Sequence, residues 1–156
     1  MNGARGILRV LGERGETLGF CESLTAGLAC ATVADVPGAS AVLRGGLVTY
    51  ATDLKGSLAL VDAAVLARCG PVAAETAAGM AEGARERLGC DWAVSLTGVA
   101  GPEPQDGHPV GEVHLGLAHV GESTRTRRVD LDGSRAQIRA AAVDAALGFL
   151  AEALAA

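Results

Sequence analysis

The chain has 156 residues and a formal net charge of −5, with 49% apolar and only 3% aromatic residues. That length suits one domain burying roughly two-thirds of its unfolded surface, and the acidic balance excludes the basic, aromatic-studded surface that nucleic acid binding needs. No apolar run reaches the length of a membrane span and MNGARGILRVLGERGE lacks the hydrophobic block of a signal peptide, so a cytoplasmic protein with no membrane partner is expected.

Residues 3–14 place Ile7, Leu8 and Leu11 on one helical face, and Gly15 stops that helix before the short strand TLGFCE. A helix is expected over about 25–34, closed by the turn signal Pro37-Gly38. GGLVTYA reads as a second strand, TDLKGSLAL opens a short helical turn, and Asp62 caps a helix that runs through Arg68 until Gly70-Pro71 interrupts it. The longest helix is expected over about 72–88, with Glu75, Glu82, Arg85, Glu86 and Arg87 largely on one side and Gly89 as its stop. DWAVSLTG is a continuous apolar run of strand length, the pattern of a strand buried on both faces. After the glycine- and proline-rich loop GVAGPEPQDGHPVG, the segments GEVHLGLAHV and STRTRRVDL form an antiparallel pair around Gly121-Glu122. The basic patch Arg125 to Arg128 reads as protection of a sheet edge. A last helix begins near Ser134, whose spacing to Gln137 fits a capping box.

Helices alternate with strands until the hairpin breaks the pattern. The expectation is one α/β domain over residues 1–156, with a mixed, about five-stranded sheet and helices on both faces. With so few aromatics, its core must be built from Ala, Val and Leu in close helix-to-sheet contact. Cys21, Cys30, Cys69 and Cys90 form no C-x-x-C pair and have no histidine nearby in sequence, so they read as small buried thiols rather than a metal or redox site.

Three segments combine polar groups with tight backbone where a strand ends, the place where open α/β sheets bind ligands. In the first, Ser23 or Thr25 is either a helix cap or, beside main-chain N–H groups left free by small residues such as Gly27, a nucleophile next to an oxyanion or phosphate site. A serine needs a base, and the histidines are poorly placed: His114 and His119 fall within a strand and His108 within the loop. Lys55 is the sole lysine in a chain whose other cations are arginines. An arginine cannot accept a proton, whereas a desolvated lysine can; the alternative is a surface lysine. Tyr50, the sole tyrosine, either relays a proton or packs. In the third segment, Thr97, Gly98 and Gly101 let backbone approach an anion closely, and the loop behind them is a lid or a plain connection.

Together, ESLTAGL, DVPGASAVLRGGLVTYATDLK, VAAETAAGMAEGA, LTGVAGPE with PVGEVHLGLA, and DGSRAQIRAAAVDAAL resemble the C-terminal domain of the CinA family, the nicotinamide mononucleotide deamidases or nicotinamide-nucleotide amidases. The resemblance covers nearly the whole chain in order. It implies a three-layer α/β/α sandwich and a cytoplasmic bacterial hydrolase of pyridine nucleotide salvage, commonly a homodimer. Such an enzyme converts nicotinamide mononucleotide to nicotinic acid mononucleotide and ammonia with no metal and no other cofactor. By motif, the nucleophile falls on Ser23, the family's tyrosine and lysine on Tyr50 and Lys55, its threonine on Thr97, and the arginine of the last helix on Arg139. The resulting expectation is Ser23 as nucleophile, Lys55 as base, Tyr50 assisting, and Thr25, Gly27, Thr97, Gly98, Gly101 and Arg139 binding the nucleotide. Ala26 replaces the first glycine of the family's T-G-G, YATDLK the more frequent Y-S-N-x-x-K, and DGSR its G-D-R. The competing reading is a nucleotide-binding or assembly module that kept this scaffold without efficient turnover; a third is an amidase for a related pyridine or sugar-phosphate amide.

Overall fold

The structure, a computed structural model, describes residues 3–156. Helix α1 (Gly3–Arg14) leads into strand β1 (Leu18–Glu22), followed by α2 (Leu28–Ala34), a single 3-10 turn, and β2 (Leu43–Val48). Two short helices, α3 (Thr52–Ser57) and α4 (Ala63–Cys69), precede α5 (Ala74–Leu88) and β3 (Trp92–Gly98). The hairpin β4 (Glu112–His119) and β5 (Arg125–Asp130) and the C-terminal helix α6 (Arg135–Ala155) complete the chain. No helix among the described residues is long and apolar enough to cross a membrane.

The five strands form one sheet in the order β2-β1-β3-β4-β5. β1 is parallel to both β2 and β3, and the last two pairings are antiparallel, so the sheet is mixed, as the sequence predicts. Period-two alternation divides its side chains between two layers. Leu18, Phe20, Trp92, Val94 and Leu96 face α1, α2 and α6, whereas Cys21 and Ala93 face α5 with Met80 and Ala84. The result is the expected three-layer α/β/α sandwich. β5 lies on an edge, and its arginines are matched by acids: Arg125 with Glu122, Arg127 with Glu152, Arg128 with Glu112 and Asp130. The patch is an edge whose charge is neutralised within the fold.

Several element assignments differ from expectation: β2, read as GGLVTYA, spans Leu43–Val48 and leaves Tyr50 beyond its end. The longest helix is α6, with 21 residues against 15 for α5; its capping box at Ser134 and Gln137 is present. α2 starts at Leu28 because Ala26 and Gly27 hold φ at 50° and 102°, outside the right-handed helical region. Residues 24–27 are turns instead, closed by Ala26 N–H on the Ser23 carbonyl and Leu28 N–H on the Thr25 carbonyl. Ala26 is exposed, so its methyl group imposes backbone strain rather than blocking a surface. Ala26→Gly is therefore expected to raise stability by about 1 kcal/mol, measured as a shift of the urea midpoint at constant slope.

Candidate active site

β1 ends at Glu22, and the ladder carries one step further: Ser23 N–H donates to the Leu96 carbonyl of β3 at 2.9 Å. Ser23 thus keeps a strand-like position at the C-terminal edge of the sheet, on the α5 side. Thr49 continues β2 in the same way, its N–H bonded to the Glu22 carbonyl. From there the chain turns through Tyr50 into α3, whose last turn carries Lys55 back under the strand ends.

Lys55 is buried, and its Nζ lies 2.9 Å from Ser23 Oγ, 2.7 Å from the Thr49 carbonyl and 3.5 Å from the Tyr50 carbonyl. A carbonyl can only accept a hydrogen bond. A neutral amine spends its two N–H groups on Thr49 and Tyr50 and turns its lone pair to the Ser23 hydroxyl. An ammonium gives its third N–H to the same Ser23 oxygen. Both protonation states are satisfied without rearrangement, which suits a group that takes and returns a proton. Burial pushes the Lys55 pKa below the usual lysine range. The adjacent Cys21 thiolate would oppose that shift, but burial raises the Cys21 thiol to about 11, so near neutral pH it carries no charge.

Ser23 and Lys55 open into a cleft of about 150 Å³ whose walls include Tyr50, Thr97, Gly98, Gly101 and Arg135. Thr97 donates its hydroxyl hydrogen to the Pro71 carbonyl at 2.6 Å. None of the three histidines lines this cleft. His108 and His114 pair with Glu112, and His119 stacks on Trp92.

Other expected site residues stand elsewhere. The Tyr50 hydroxyl meets Arg135 Nη2 at 2.9 Å instead of Ser23 or Lys55, and the residue is 54% exposed, so Tyr50 forms the mouth of the cleft. Its carbonyl, not its phenol, touches the lysine. Thr25 is wholly buried and Gly27 precedes α2 facing Val48; neither lines the cleft. Arg139 donates to the Leu24 and Thr25 carbonyls at 2.9 and 3.0 Å, holding the turn after Ser23 in place, and it too is outside the lining. Gly98 lines the cleft, but a Cβ there would run into the β4 backbone, so packing between strands already requires this glycine.

The α2 start is not an open anion site. The Glu22 carboxylate accepts from Ala29 N–H at 2.8 Å and Cys30 N–H at 3.0 Å, taking the donors that Gly27 has no side chain to cap. Glu22 and Arg135 are the two functional residues the sequence reading missed. Both lay inside quoted motifs, ESLTAGL and DGSR. Arg135, the first residue of α6, reaches the Gly101 carbonyl at 2.6 Å as well as Tyr50, bridging two walls of the cleft.

Comparison with known proteins places the chain in a family and supports its fold. The CinA family profile, described as the CinA C-terminal domain, matches residues 3–154. A CinA-like protein of Frankia casuarinae is 48% identical over 149 residues, which cover 96% of this chain and 34% of that protein. The chain spans about a third of the length of the curated relatives it matches. Among crystal structures, the competence/damage inducible protein CihA from Agrobacterium tumefaciens superposes with a TM-score of 0.92 at 35% identity, covering 98% of this chain and 93% of that one. A CinA superfamily protein from Klebsiella pneumoniae gives 0.93 at 31% identity, covering 97% and 95%.

Proposed function

The chain belongs to the CinA C-terminal domain family, and from that premise we propose that it is a serine–lysine amidase acting on the carboxamide of nicotinamide mononucleotide. The observation that carries the reading is the buried Lys55 Nζ at 2.9 Å from Ser23 Oγ, with its other hydrogens bound to two carbonyls. Ser23 Oγ attacks the carboxamide carbon while Lys55 takes the hydroxyl proton. The tetrahedral intermediate collapses with cleavage of the C–N bond, and Lys55 returns the proton to the leaving nitrogen, which departs as ammonia. Water, deprotonated by Lys55, then hydrolyses the acyl ester and frees nicotinic acid mononucleotide and Ser23.

The oxyanion is held by main-chain N–H groups in the cleft wall at Leu24, Ala100 and Gly101, none of which is bonded within the described fold. Ser23 N–H, Ala29 N–H and Cys30 N–H are already taken. Arg135 spends two of its five N–H groups on Gly101 and Tyr50 and offers the others to the substrate phosphate. The family resemblance also supports a cytoplasmic location and a homodimer, the latter checked by sedimentation velocity.

The test is ammonia release from nicotinamide mononucleotide, expected to match nicotinic acid mononucleotide one to one. Nucleotide binding without release supports the binding or assembly module instead, and release from a different amide alone moves the substrate. Arg135→Met is expected to raise KM for the nucleotide roughly tenfold or more. The unphosphorylated riboside should lose only what the Arg135 bridge to Gly101 and Tyr50 contributes to the cleft walls, so the difference between the two substrates in a steady-state comparison reads the phosphate contact.

A further inference from the structure

We propose that Thr97 is the residue that distinguishes a carboxamide from a carboxylate in this cleft, because its hydroxyl is locked so that it can only accept a hydrogen bond. The proposal rests on the amidase reading for its substrate and extends it to the choice between substrate and product.

The placement comes from sheet register. β1 and β3 are parallel neighbours with Cys21 opposite Ser95 and Glu22 opposite Leu96. One step further puts Ser23 beside Thr97, a step the Ser23 N–H to Leu96 carbonyl bond makes real. Side chains two apart share a face, so Thr97 projects to the same side as Ser23, on a strand about 4.8 Å away. Both line the cleft. Lys55 reaches Ser23 from below the β2 end of the sheet, where Thr49 lies, and Thr97 flanks it on the β3 side.

The polarity comes from Pro71. A hydroxyl has one hydrogen, and that of Thr97 goes to the Pro71 carbonyl at 2.6 Å. A carbonyl has nothing to donate, and proline has no N–H to offer in its place. The bond therefore runs in one direction only, and only lone pairs of Thr97 Oγ1 are left for the cleft. A carboxamide presents an NH2 donor where the corresponding acid presents a second oxygen. An acceptor fixed in a buried site binds the first and opposes the second. A freely rotating hydroxyl would accept either. Substrate is thus selected, and the acid formed at Ser23 meets an unfavourable partner as soon as it is released.

The experiment measures affinity for the amide and the acid nucleotide by calorimetry in a Ser23→Ala background, which does not consume the amide, with Thr97 intact and with Thr97→Val, which keeps the shape and removes the acceptor. With Thr97 intact the protein should prefer the amide, and the valine variant should collapse that preference at least tenfold, partly through tighter binding of the acid. Thr97→Ser, which keeps the hydroxyl, should retain the ratio seen with threonine. If valine weakens the Pro71 contact enough to unfold the protein, Thr97→Cys, similar in size and a poor acceptor, takes its place. An unchanged ratio, or equal weakening of both ligands, overturns the proposal. Because the ratio is read from binding, it is independent of turnover: failure of ammonia release counts against the amidase reading and leaves this measurement to decide on Thr97.

Discussion

Replacing Lys55 with methionine is expected to lower ammonia release by at least about 10³-fold, with Ser23→Ala at least as severe. Methionine keeps much of the buried stem and removes the side-chain nitrogen that contacts Ser23 Oγ. Lys55→Arg should not restore activity, since a guanidinium does not take a proton at working pH. The pH dependence follows from the direction of the Lys55 shift. Activity needs the neutral amine, so it should fall as pH drops through the lowered folded-state value, and the midpoint should lie below the ordinary lysine range. For stability the sign is fixed by the same shift. Between the folded value and the ordinary lysine value the unfolded chain binds more protons, so stability rises with pH across that window; below it, the cost of the buried charge is felt in full. Lys55→Met relieves that cost while leaving two carbonyls without their donor, and its melting temperature is expected within about 5 °C of wild type. An active methionine variant would show that Lys55 is not the base.

Gly83→Ala should have the largest effect on folding. In an exposed helix interior this change gains about 1 kcal/mol. In α5 the sign reverses, because the new Cβ would fall on the Ala59 carbonyl oxygen and 2.5 Å from its carbon. Ala59 is buried against α5, and the segment it begins has little freedom to retreat: Leu60 already sits at φ 63°, and Val61 N–H is bonded to the Lys55 carbonyl at 2.9 Å. A destabilisation of about 3 kcal/mol or more is expected from urea unfolding. Whatever fraction stays folded should also turn over slowly, since the displaced segment holds the end of α3 and with it the lysine. Wild-type stability in this variant would mean that the helix and the Ala59 carbonyl are not in contact.

How much of this was legible in the sequence depended on whether the signal was local. β3 announced itself as an unbroken apolar run, the Ser134–Gln137 cap by its spacing, and the end of α5 by Gly89, which adopts φ 59°. Ser23 and Lys55 could be paired because one is a lone lysine and both sit beside strand ends. The start of α2 could not be read that way: the group that caps it, Glu22, is seven residues from Ala29 and acts from inside the preceding strand. Arg135 and Arg139 are four apart on one helical face, and helical periodicity does not say which reaches the cleft; the structure gives it to Arg135. The acceptors that orient Lys55 and Thr97 are main-chain carbonyls of Thr49, Tyr50 and Pro71, and side-chain identity carries no trace of them.

Because Glu22 brings its carboxylate to the head of α2, a nucleotide bound as the amidase reading requires has no seat for its phosphate there and turns that end outward, toward Arg135 at the rim. Entry would thereby be polarised: the pyridinium ring goes in first, and the tail stays in contact with solvent. Under the amidase reading, a bulky label tethered through that tail should still bind, whereas one attached to the ring should not, which makes the tail the natural handle for an affinity resin or a fluorescent reporter.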